Sequence, residues 1–165
     1  MSRVTLIHHV TLQISNRQRT IDWYEKVLGA EFLDRGPTMN KVQLQFRLGN
    51  AEVHTNEPAV VVQTPLVHFA VEVADWDETI ENLKTLGVPY HHDPRSSEMD
   101  ERASTWEHRE YTGHHYTYVR DPDGNIIELM YHPLGLEDSA GKKVNVVHDP
   151  DSLTWTKRPE YDTSK

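Results

Sequence analysis

The chain has no cysteine, so disulfides, thiolate metal sites and a cysteine nucleophile are all excluded. Basic residues are outnumbered: 17 Lys and Arg face 26 Asp and Glu, for a net charge of -9. That deficit argues against nucleic acid or an anionic membrane as the main partner. No apolar run approaches the length a membrane span needs, and no signal peptide is apparent, so a cytoplasmic protein is the expectation. At 165 residues the chain is long enough to bury one real core. What it has in plenty is histidine: there are 11.

Two stretches repeat each other. "HVTLQIS" begins at His9 and "HFAVEVA" at His68, and each is followed by a helix-like segment ending in Leu-Gly, at Leu28-Gly29 and Leu86-Gly87. Each copy closes on a Gly-Asn turn and a glutamate, Gly49-Asn50 to Glu52 and Gly124-Asn125 to Glu128. A duplicated unit with metal-ligating residue types at matched places points to one divalent-metal site shared by two pseudo-symmetric halves.

Periodicity gives the elements. Alternation and β-branching predict a strand over residues 4–14, and Ile21, Tyr24, Val27 and Leu28 then fall at helical spacing before Gly29. A short strand near Ala30–Asp34 and two strands around Gly49-Asn50 complete a β-α-β-β-β unit. The second unit starts after Pro65, with Asp75 and Glu78 as a capping box and Ile80, Leu83 and Leu86 as the apolar stripe of its helix. Strands follow near Tyr116–Arg120 and Ile126–Tyr131, joined by the turn sequence Asp121-Pro122-Asp123-Gly124-Asn125. The expected fold is therefore α+β: two pseudo-symmetric βαβββ modules, at about 4–60 and 65–132, within one domain over 1–132. A polar insert at 91–113 reads as a lid loop, and 133–165 as a C-terminal extension without an obvious element.

Strand alternation sorts the side chains. Val10, Leu12 and Ile14 share one face and His9, Thr11 and Gln13 the other; Phe69, Val71 and Val73 oppose His68, Ala70 and Glu72. Matching polar faces imply a curved mixed sheet, helices behind it, with a cup for a ligand or metal. His8 falls with the apolar set and is expected to be a hydrogen-bonded core residue. A lone His9 would ordinarily be a half-exposed strand histidine, but its match with His68 and the glutamates favours a ligand. Glu128 sits between apolar neighbours and needs a partner, either a metal or an arginine. Glu52 and His54 point to the same side of their strand, and sequence does not choose between them.

"HHVTLQISNRQRTIDWYEKVLGAEF", "HFAVEVADWDETIENLKTLGV" and "YVRDPDGNIIEL", in that order, resemble the vicinal oxygen chelate superfamily of glyoxalases, bleomycin-resistance proteins and type I extradiol dioxygenases. The resemblance covers about residues 6–132. It implies paired βαβββ units around one divalent metal, with His9, His68 and Glu128 at the ligand positions. Two histidines and a carboxylate suit a non-haem Fe(II) oxygenase. Adding Glu52 as a fourth ligand would look more like glyoxalases and epimerases, whose ion is often Zn, Ni, Co or Mn. Resemblance to the ring-cleaving members assigns catalytic roles to His54, Tyr118 and His108, with His108 one residue out of register. Within the lid, Arg102 and Trp106 are candidate substrate contacts, although solvated loop residues are the commoner outcome. The leading expectation is an Fe(II) extradiol-type dioxygenase acting on a catecholic or other vicinal-oxygen small molecule and O2. A metal-dependent lyase or isomerase comes second, and a small-molecule binding or resistance protein third. The family also implies a homodimer.

Overall fold

The computed structural model describes residues 7–101, 115–132, 136–137 and 143–144. His108, Arg102 and Trp106 lie outside the described residues, as does most of the expected lid. The chain divides into two compact units, one ending at Val62 and the next beginning at Gln63. Among the described residues no helix is long and apolar enough to cross a membrane.

The first unit runs β1 (His9–Gln13), α1 (Arg17–Leu28), β2 (Glu31–Phe32), α2 (Pro37–Val42), β3 (Gln45–Leu48) and β4 (Ala51–Asn56). Its sheet has the order β1-β4-β3-β2, with β1 parallel to β4 and the other pairs antiparallel. Asn16 caps α1 by accepting from the Arg19 amide, and Gly29 ends it in the left-handed conformation that a glycine adopts without strain. Phe46 and Tyr24 are fully buried, and their rings stack with centroids 5.1 Å apart, tying α1 to the apolar face of the sheet.

The second unit repeats the plan: β5 (His68–Glu72), α3 (Trp76–Leu86), β6 (Tyr90–His91), β7 (His115–Arg120) and β8 (Ile126–Tyr131). Strand order is β5-β8-β7-β6, again with one parallel pair, β5 with β8. Asp75 caps α3 and Gly87 terminates it, the same signals in the same places. Trp76, Ile80 and Leu83 of α3 are buried, as are Thr117, Val119, Ile127 and Leu129 of the sheet. Two four-stranded mixed sheets, each with one long helix (α1 or α3), are the α+β modules expected from the repeat.

Asp121 builds the turn that aims β8. Its carboxylate accepts from the amides of Asp123 and Asn125 and from the Asn125 side chain, and it is buried.

Four elements were not expected. Helix α2 is only six residues long, too short for periodicity, although Pro37 stands at its first turn. Strand β6 takes up His91, which the sequence placed in the insert; two residues cannot show alternation. The C-terminal extension contains the antiparallel pair β9 (Leu136–Glu137) and β10 (Lys143–Val144), where no element was foreseen.

Candidate metal centre

In the second unit the ladder aligns Ala70 with Glu128 and Glu128 with Tyr118. His68, two residues before Ala70, shares their face. Its Nδ1 lies 2.9 Å from the carbonyl oxygen of Leu66, which only accepts, so Nδ1 carries the proton and donates. The Nε2 lone pair is then turned toward Glu128, with Nε2 3.3 Å from Oε2. Tyr118 donates its hydroxyl to Oε1 of the same carboxylate at 3.2 Å. Two electron-rich atoms facing each other are favourable only with a cation between them, a proton or a metal ion. A ligand histidine that donates its other N–H to a backbone carbonyl is the usual companion of such a site. The donor set fits a divalent metal.

Leu66 supplies that carbonyl from a left-handed conformation, φ 65, the one positive φ at a non-glycine among the described residues. For a leucine this costs on the order of 1–2 kcal/mol.

In the first unit the ladder aligns His9 with Glu52 and Thr11 with His54. The counterpart of His9 is His68, so Thr11 matches Ala70, and the residue in the place of Glu128 is His54. Glu52 matches Ile126 instead. The matching of the two glutamates suggested by the Gly-Asn turns is thus displaced by two positions. His54 is buried, and its Nε2 lies 2.8 Å from Oε2 of the buried Glu52. The carboxylate can only accept, so the neutral ring keeps its lone pair on Nδ1. The ring of His54 stacks on His9 with centroids 4.1 Å apart.

His8 is exposed rather than in the core, contrary to its alternation with Val10. It precedes the first strand residue, and its Nδ1 lies 3.1 Å from His9 Nδ1 with one proton between them.

Crowding and burial favour the neutral forms of His9 and His54. The neighbouring His54 lowers the pKa of His9, assisted by desolvation and by His8. Burial lowers that of His54, with Arg35 and His8 adding repulsion. Both native values lie below the ordinary 6.5, so the unfolded chain binds more protons just below that pH. Their contribution to stability is therefore present above about pH 6.5 and lost as pH falls through the native values. The metal-free protein is expected to melt at progressively lower temperature between pH 6.5 and 5, and His54→Gln to flatten that slope. Melting curves followed by circular dichroism check both.

The sequence missed two groups in the second unit. Glu72 grips His132 twice, accepting from its amide and pairing with Nδ1, each at 2.7 Å. His91, His92 and Asp100 also converge. Adjacent histidines were the only available signal for the second group, and nothing local joins them to Asp100.

A model of the glyoxalase/bleomycin resistance protein/dioxygenase superfamily matches residues 6–129. Among solved structures, a glyoxalase family protein from Bacillus anthracis superimposes with a TM-score of 0.64 at 21% identity, over 80% of this chain and 98% of that one. A fosfomycin resistance protein from Listeria monocytogenes gives 0.59 at 18% identity, over 80% and 97%. Lactoylglutathione lyase from Agrobacterium tumefaciens gives 0.56 at 20% identity, over 79% and 96%. Likeness at these identities shows the fold.

Proposed function

Because the chain belongs to the glyoxalase/bleomycin resistance protein/dioxygenase superfamily, we propose that it is a metal-dependent enzyme for a small molecule with two neighbouring oxygens. The relatives above are named for different chemistries, so the reaction is argued from this chain's own side chains. The carrying observation is the approach of His68 Nε2 and Glu128 Oε2, with the remaining polar atoms of both groups held by Leu66 and Tyr118. With His9 as the third ligand, a proposal that rests on the family resemblance, the set is two histidines and one carboxylate. Such an ion would bind both substrate oxygens and lower the pKa of a proton beside them.

His54 is the group that takes that proton. It is neutral at pH 7, its Nδ1 carries the lone pair, and Glu52 holds the opposite nitrogen. Once protonated, the ring is stabilised by the Glu52 carboxylate, as a general base requires. Glu52 is therefore a positioning residue for His54 in this reading. Tyr118 orients Glu128 through its hydrogen bond. Three protein ligands and a separate base favour an Fe(II) dioxygenase of the extradiol type, with a catecholic substrate and O2.

One observation favours a second reading. His54 pairs in its own sheet as Glu128 does in the other, which supports His54, in the stead of Glu52, as a fourth ligand in this reading. Zn, Ni, Co or Mn on four ligands would suit a lyase or isomerase that moves a proton without oxygen.

The test is metal analysis of protein purified without chelator, followed by anaerobic Fe(II) loading and oxygen uptake over a catechol panel. Near-stoichiometric iron with catechol-dependent uptake supports the dioxygenase. Another divalent ion, no uptake, and exchange of a substrate C–H proton with solvent support the lyase or isomerase. Protein that neither retains nor takes up an ion sinks both.

A further inference from the structure

The second unit carries another convergence of ligating side chains that the site above does not use. His91 ends β6 and His92 follows at a bend, so two adjacent residues that would diverge on a continuing strand bring their rings together. The rings stack with centroids 4.6 Å apart and planes 19° from parallel. The Asp100 amide donates to the carbonyl of Tyr90 at 2.9 Å, which pins the returning chain against the same strand end. The Asp100 carboxylate is only 8% exposed. Its Oδ2 lies 2.8 Å from His92 Nδ1 and 3.8 Å from His91 Nε2. One ligand atom from each of the three residues falls within 4.8 Å of the others.

We propose that His91, His92 and Asp100 form a second metal site, which takes Zn(II). Two imidazole nitrogens and a carboxylate oxygen are a borderline-soft donor set, which favours Zn over Mg or Ca. Three protein ligands leave a fourth position for water or an anionic group. A divalent cation among the three would meet a carboxylate oxygen and two ring nitrogens already brought within ligating reach of one another. One existing contact opposes the ion. The Asp93 amide donates to His91 Nδ1 at 2.8 Å, so the neutral ring carries its proton on Nε2. An ion on Nε2 moves that proton to Nδ1 and releases the Asp93 amide. Losing one hydrogen bond weakens binding by roughly tenfold.

The location gives the site a use. His91 aligns with Tyr118, and Tyr118 with Glu128, so all three share one face. The proposed ion therefore lies about two strand spacings, roughly 10 Å, from Glu128. Its open position would meet an anionic group on a substrate held at the first centre.

The experiment is Zn(II) titration of the full chain by calorimetry, with fold checked by circular dichroism. Wild type is expected to bind two equivalents. Asp100→Asn and His92→Gln should each bind one, or bind the second at least tenfold more weakly. The His68→Ala/Glu128→Ala double variant should keep the equivalent that depends on Asp100. A single wild-type equivalent that Asp100→Asn abolishes and His68→Ala spares would support this site and overturn the first centre. Zinc binding unchanged in both Asp100→Asn and His92→Gln overturns the proposal. So does the absence of saturable zinc from a folded double variant.

Discussion

His68→Ala and Glu128→Ala are each expected to lose metal affinity by at least about a hundredfold while staying folded. The reason is local to the second unit. His68 Nε2 and Glu128 Oε2 face each other at 3.3 Å, and removing either leaves the ion a single ligand from that sheet. Glu128→Gln separates charge from shape: it keeps an oxygen for the Tyr118 hydroxyl but brings no negative charge to the ion. Chelator competition, with metal content measured after dialysis, reads the change. Tyr118→Phe should fall between, since it loosens the carboxylate without removing a ligand; a loss of about tenfold is expected. Unchanged affinity in His68→Ala would remove that histidine from the centre.

The second large effect belongs to His54. His54→Ala is expected to lower kcat by about 10²–10⁴, the usual worth of a positioned base, with metal content unchanged. Glu52→Gln should cost less, because the amide oxygen can still accept from His54 Nε2 while the charge that stabilises the protonated ring is gone. Its pH–rate profile should shift to lower pH, which a purely structural role would not produce. The pairing of readouts matters here. If His54→Ala loses metal along with activity, His54 is a ligand, and the lyase or isomerase reading takes over.

Strand faces were legible in the sequence because burial on one side of a sheet imposes a period of two. His9 and His68 each announced themselves by standing opposite apolar neighbours. Helix ends were legible for similar reasons: Asp75, Gly29 and Gly87 satisfy backbone groups that any helix leaves open. Cross-strand register was not. The Gly49-Asn50 hairpin joins Leu48 to Ala51 directly, whereas five residues separate Arg120 from Ile126. Pairing each Gly-Asn turn with the glutamate that follows it thus put Glu52 in the place that the ladder gives to His54. Turn length fixes register, and the two copies differ in that length. The grouping of Asp100 with His91 and His92 was hidden for a related reason. A backbone bond to Tyr90 brings it home, and no local pattern encodes that return.

Leu66 sets stability and activity against each other at one position. Glycine there would relieve the left-handed backbone yet leave the Leu66 carbonyl, and hence the His68 ring, less firmly aimed. Selection for a sturdier protein would reward such a change, while selection for turnover would resist it. At the entrance to β5, a gain in thermostability is expected to come at the expense of the proposed activity.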